Sequence, residues 1–252
     1  MFTEKAVVQF LKPIEQNIYL LKAYSPKISQ NIKPGQFCNI KVSDTDFPLL
    51  RRPFSICEAE GDCVSFLFNI HGIGTKILSG KREGNEINIL GPLGNGFNIS
   101  GNYDQAVIVA GGLGSAPFPY LINSLDSSKE VLSYVGAQTK TDLVTYKLKS
   151  VSISTDDGTA GFKGNVIELL EKQKRLFVKN VKLFGCGPTP MLKALQKFSA
   201  ENNYECEIST ECAMACGFGI CQGCPIESTA NINSYKLVCK DGPVFNSRDI
   251  VL

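Results

Sequence analysis

A single histidine, His71, stands among the 252 residues of this chain. With no second histidine and no nucleophile motif beside it, imidazole-based acid–base or hydrolytic chemistry has no constellation to work from. Charge of one sign is lacking too. The 26 basic and 24 acidic side chains leave a net charge of +2, which gives no reason to expect nucleic acid. The densest basic stretch, carrying Lys172, Lys174, Arg175, Lys179 and Lys182, reads as a solvated helix end and turn. No apolar run approaches the roughly 18 residues of a membrane-spanning helix. The opening residues carry no basic segment followed by an apolar one, so a cytoplasmic protein is expected. Internal repeats and low-complexity tracts are also missing.

Cysteine, by contrast, is plentiful. There are ten, a number that in a cytoplasmic chain favours metal binding or redox chemistry over disulfides. Cys38, Cys57 and Cys63 are scattered and read as small buried hydrophobes. Cys216, Cys221, Cys224 and Cys239 instead follow the order C-x4-C-x2-C-x14-C, with Gly217, Gly219 and Gly223 between the first three. Glycines permit the left-handed turns and close backbone approach needed to wrap thiolates around a cluster. The order matches the plant-type [2Fe–2S] spacing and differs from the C-x2-C-x2-C run of bacterial [4Fe–4S] proteins. A structural zinc or two disulfides are the alternatives, although zinc ribbons pair one C-x2-C with a second, which is missing here. A second register, Cys212-x3-Cys216-x4-Cys221-x2-Cys224, would supply four thiolates without Cys239.

Residues 1–101 read as short strands broken by Gly, Pro, Asn and Asp: 7–11, 18–23, 37–42, 55–58, 64–69 and 86–90, with one helical piece at 74–79. This pattern predicts an antiparallel β-barrel. Residues 102–209 change character. The continuous apolar run 106–110 suits a parallel strand buried on both faces. Helical and strand segments then alternate: 118–125, 130–135, 142–148, 150–154, 166–171, 181–184, 191–200 and 205–209. Alternation of this kind predicts a doubly wound, Rossmann-like α/β domain. The class is therefore α+β multidomain, closed by a cysteine-bearing segment over 210–252.

Two glycine turns in the second domain each lead from an apolar strand into a helix. The first carries Gly111, Gly112 and Gly114, and the second carries Cys186, Gly187 and Pro188. Glycine lets backbone amides approach a pyrophosphate, and two such turns at one end of a parallel sheet form a nucleotide crevice. Cys186 either faces a bound nicotinamide or is a small residue tolerated between glycines. Pro119, close behind Pro117, predicts a late helix start. In the first domain Arg52, Pro53, Phe54 and Ser55 place a guanidinium and a hydroxyl at the start of a strand, both able to bind phosphate. Asn69, Ile70 and His71 end another strand, before Gly74 and the helix-capping Thr75.

In this order the segments resemble the ferredoxin–NADP reductase superfamily, and within it the electron-transfer subunits of class 1B dihydroorotate dehydrogenases. The resemblance covers nearly the whole chain. It is most specific at Met214-Ala215-Cys216-Gly217 with Cys221 and Cys224, and at residues 238–245. It implies FAD on the barrel, with Arg52 and Ser55 at the pyrophosphate, Gly74 and Thr75 assisting, and 69–71 lining the flavin. It also implies NADH at the two glycine turns and a [2Fe–2S] cluster on Cys216, Cys221, Cys224 and Cys239. A separate catalytic subunit carrying FMN, in a heterotetramer, would complete the enzyme of pyrimidine biosynthesis. The diaphorase subunit of a sulfite reductase, a hydrogenase or a ferredoxin oxidoreductase is the first alternative, and a zinc-stabilised interaction module the second. Asp156 and Asp157 would repel a 2′-phosphate, so NADH is expected over NADPH.

Overall fold

The computed structural model describes residues 1–231 and 233–252. Seven strands form the first sheet: β1 (Phe2–Glu15), β2 (Ile18–Tyr24), β3 (Phe37–Lys41), β4 (Arg52–Ser55), β5 (Glu58–Glu60), β6 (Cys63–Asn69) and β7 (Glu86–Leu93). All their pairings are antiparallel, in the order β4-β3-β7-β1-β2-β6-β5. The sheet curls, bringing Phe54 of β4 against Phe66 and Phe68 of β6 at ring separations of 6.3 and 5.8 Å. Short helices α1 (Pro26–Ser29) and α2 (Ile73–Ser79) interrupt it. Val8, Leu21, Ile40, Phe66 and Ile89 fill the interior, and Cys38 joins them, as expected of a small hydrophobe.

The second sheet is mostly parallel. Its strands are β8 (Gln105–Gly111), β9 (Glu130–Ala137), β10 (Val151–Thr155), β11 (Phe162–Lys163), β12 (Val181–Cys186) and β13 (Glu205–Ser209). The helices are α3 (Phe118–Ser124), α4 (Val166–Gln173) and α5 (Thr189–Glu201). One face of the sheet packs on α4 and α5 through Val107, Leu183, Leu169, Leu195 and Phe198. The other packs on α3 through Ile108, Phe184, Phe118 and Leu121. This is the doubly wound arrangement that the alternation predicts. The late helix start is present as well: a 3-10 turn over Gly112–Ser115 precedes α3, which begins with Pro119 inside its first turn.

Three expectations need correction. The helix expected over 142–148 is absent: beyond a 3-10 turn ending at Asp142, the segment runs as turns to β10. Lys147 and Ser150 there adopt positive φ of 51° and 47°, which an α-helix excludes. Lys182 is not a solvated basic residue. It is fully buried on β12, where its ammonium donates to Asn98 O at 2.8 Å and Glu207 Oε1 at 3.0 Å and pairs with Glu205. Cys63 is only half-buried.

The C-terminal stretch contributes β14 (Pro225–Ser228), β15 (Tyr235–Leu237) and β17 (Ile250–Val251), which make a small antiparallel sheet. Between β15 and β17 the chain lends β16 (Val244–Asn246) to the second sheet, antiparallel to β13. The cysteine-bearing segment thus leaves the nucleotide-type sheet at β13 and returns to it at the neighbouring position.

Candidate cofactor, nucleotide and cluster sites

The strand ends β8, β9, β10 and β12 open onto a cleft of about 730 Å³. Gly111, Gly112 and Gly114 line it from the first turn, and Gly187 and Pro188 from the second. The two turns are in contact. A Cβ on Gly111 would sit 2.6 Å from Pro188 Cδ, and one on Gly114 would sit 2.7 Å from Gly187 Cα. Glycine is therefore required here by the close approach of the two turns to each other. Cys186 stands at the end of β12, with burial and the Glu211 charge pushing its thiol up to about 12.

Asp156 lines the cleft, whereas Asp157 turns into its own loop and accepts from Thr159 N at 2.9 Å. Further polar lining groups escaped the sequence reading, among them Asp142, Glu211, Gln138 and Asn165. Asn165 was legible in principle. Its side chain accepts from Ile167 N and Glu168 N, and Glu168 accepts from Asn165 N, a capping box written as N-x-x-E before an apolar run. Asp142 and Glu211 carry no such pattern, and only the fold brings them to the cleft.

In the first domain the two expected flavin segments meet. The Arg52 side chain lies across Gly74, where a Cβ would fall 2.9 Å from Nε. Thr75 Oγ1 accepts from His71 N at 2.9 Å and Gly72 N at 3.2 Å, so it folds the 71–75 loop and caps α2. Asn17, at the β1–β2 turn, clasps Ile70 through both its backbone groups. Pro53 and Ser55 stand on β4 beside these groups, and Asn69 ends β6. Phe54 points inward to Phe66 and Phe68. His71 is exposed.

The cysteine loop packs against both domains. Cys224, Val238 and Cys239 share an apolar cluster with Leu195 and Ile208 of the second, while in the first Asn39 of β3 donates to Cys216 O at 3.2 Å and Asn95 donates to Asp241 O at 3.0 Å. Gly217, at φ 80°, leaves no room for a side chain beside Asn39. Cys224 and Cys239 are buried, with sulfurs 3.1 Å apart. Cys216 and Cys221 form a second sulfur pair nearer the surface. Burial opposes charge on Cys216, but N–H donors from Cys221, Phe218 and Ile220 and the Cys221 thiol hold it down at about 6. Two cysteine pairs, one wrapped in backbone donors, suit a two-iron cluster in which each iron takes two thiolates. Cys212 is a near neighbour, its thiol bonded to Cys224 and pushed up to about 11 by burial and by Cys224. Asn39 Oδ1 is buried at the same contact without a partner.

A curled antiparallel domain followed by a mostly parallel α/β domain is the architecture of the ferredoxin–NADP reductase superfamily. The structure of an NADH-dependent reduced ferredoxin-NADP oxidoreductase, studied for flavin-based electron bifurcation, superimposes with a TM-score of 0.86. It is 26% identical, with 98% of this chain and 90% of that one covered. A ferredoxin NADP+ reductase from Neisseria gonorrhoeae with bound FAD and NADP shares the fold at a TM-score of 0.64 and 15% identity, over 79% and 91% of the two chains. The model of the iron-sulfur cluster binding domain of dihydroorotate dehydrogenase B matches residues 211–251. Dihydroorotate dehydrogenase B (NAD(+)) electron transfer subunits of Geobacillus sp. (strain WCH70) and Clostridium acetobutylicum are each 37% identical, covering all of this chain and 100% and 98% of theirs. That of Caldanaerobacter subterraneus subsp. tengcongensis is 40% identical over 86% of this chain and 87% of its own. The chain belongs to the family of electron transfer subunits of NAD-dependent dihydroorotate dehydrogenase B, an oxidoreductase of pyrimidine biosynthesis.

Proposed function

We propose that the chain carries electrons between NADH, an FAD on the first domain, and a [2Fe–2S] cluster on Cys216, Cys221, Cys224 and Cys239. They pass on to FMN in a dihydroorotate-converting catalytic subunit. The observation that carries this reading is the docking of the cysteine loop on the first domain through Asn39 and Asn95 and on the second sheet through the apolar cluster that Cys224, Val238 and Cys239 share with Leu195 and Ile208. When bound, the flavin and cluster supply the change from two-electron hydride chemistry to single-electron transfer.

The residues of this chain place and shield those groups. Arg52 offers a guanidinium to the FAD pyrophosphate beside Ser55, and Gly74 clears the space that this side chain occupies. Thr75 fixes the 71–75 loop so that Asn69, Ile70 and His71 border the flavin. In the cleft, Gly111, Gly112, Gly114, Gly187 and Pro188 receive the nucleotide pyrophosphate, and Asp156 takes the ribose hydroxyls while repelling a 2′-phosphate. Cys221 and Ile220 are exposed at the tip of the cysteine loop, which provides an exit to the catalytic subunit. The assembly is a cytoplasmic heterotetramer.

The test is the visible spectrum of anaerobically purified protein before and after NADH. Flavin bands over broad iron–sulfur absorption, both bleaching, are expected. A colourless protein containing zinc would end the reading.

A further inference from the structure

Resting on the assignment of the cleft to NAD(H), we infer that Glu211 faces the nicotinamide ring and discriminates its redox states by charge. The direction of the bound nucleotide follows from the sheet. The cleft runs from Asp156, just past β10, to Glu211, just past β13. The first domain is met on both sides of the cleft: at β13, Thr210 N donates to Pro243 O at 2.9 Å and Pro243 bridges to Asn95, and in the loop before β10, Lys147 pairs with Glu58. The ribose role assigned above to Asp156 puts the adenosine at the β10 end, which leaves the reactive ring to the end at Glu211.

Glu211 is the acidic group at the ring end. It lines the cleft, and its charge reaches the Cys186 thiol. Among the described residues it has no hydrogen-bonded partner and no cation within salt-bridge distance, and no Lys or Arg lines the cleft. NAD+ differs from NADH by one hydride and therefore by one positive charge on the ring. An unpaired carboxylate beside that ring favours the oxidised, cationic form. At a surface cleft, opposite unit charges a few ångströms apart are worth about tenfold in binding. Glu211 is thus a specificity-determining residue for the redox state of the nucleotide, and it draws the bound pair toward NAD+.

The test measures calorimetric binding to the oxidised holoprotein of three probes that cannot react with it. They are NAD+, 1,4,5,6-tetrahydro-NAD with its uncharged ring, and ADP-ribose with no ring. Glu211→Gln should weaken NAD+ about tenfold and leave the other two within about twofold. Glu211→Asp, which keeps the charge, should retain most of the NAD+ affinity. Equal weakening of all three probes by Glu211→Gln would mark a structural role and overturn the inference. So would unchanged NAD+ binding. Failure of ADP-ribose to bind the wild-type protein would instead remove the cleft assignment on which the inference stands.

Discussion

Cys239 and Cys212 compete for one role. Both sulfurs neighbour Cys224, yet only Cys239 is fully buried with it, at 3.1 Å. Cys239→Ser is expected to lose most of the iron and acid-labile sulfide, whereas Cys212→Ser keeps a full complement, as assayed on anaerobically purified protein. The reverse result would shift the ligand set to the upstream register. Spacing made Cys216, Cys221 and Cys224 plain, because three thiolates two to four residues apart with glycines between them have few other uses. Choosing the fourth needed tertiary contact, since 14 intervening residues impose almost no geometric limit. Glu211 lay beyond sequence reasoning altogether: a lone acid after a strand carries no signal until the sheet places it on a cleft.

Strands and helices with strong periodicity were legible to within a few residues. The run 106–110 is β8, and the stretch 191–200 lies inside α5. The segment 142–148 failed for a physical reason. Its Leu143, Val144, Tyr146 and Leu148 satisfy a helical apolar face, but they pack under an irregular loop whose Lys147 and Ser150 are left-handed. β16 was invisible because its three residues are too few to show a period. Lys182 was misread because charge alone suggests solvent. On β12 it sits among Glu205, Glu207 and Asn98 O, an ion cluster inside the sheet. Lys182→Met strands the Glu207 carboxylate, which burial already raises above the usual glutamate range against the opposing pull of Lys182. A loss of about 3 kcal/mol is expected at neutral pH, by denaturant titration at matched cofactor content. A carboxyl raised in the fold stabilises it below the unfolded value and gives that up as pH rises. The deficit should therefore shrink toward pH 5, and Glu207→Gln in the same chain should recover much of it.

The two domains and the cysteine loop are fastened at several places. Tyr120 Oη donates to Ile32 O at 3.0 Å, Asn95 Nδ2 to Asp241 O at 3.0 Å, and Lys147 pairs with Glu58. The Asn39–Cys216 bond ties the cluster segment to β3 of the first domain. Asn39→Ala removes that bond together with an unpartnered buried oxygen, so global stability should change little. Local opening should not be spared. Amides of residues 214–224 are expected to exchange hydrogen about three- to tenfold faster, with β8 and β9 unaffected, by mass spectrometry of peptic fragments.

The return of the chain through β16 makes the cysteine segment a long insertion between two hydrogen-bonded neighbours of one sheet, not a tail appended to it. The ends of residues 210–243 are pinned by that pairing, so the cost of closing the excursion is met by folding of the nucleotide domain before any metal arrives. Such a segment cannot be cut away as a cassette. Truncation after β13 would strip an edge from the sheet and uncover Ile208 and Phe198, and a shortened chain would forfeit its nucleotide domain along with its iron.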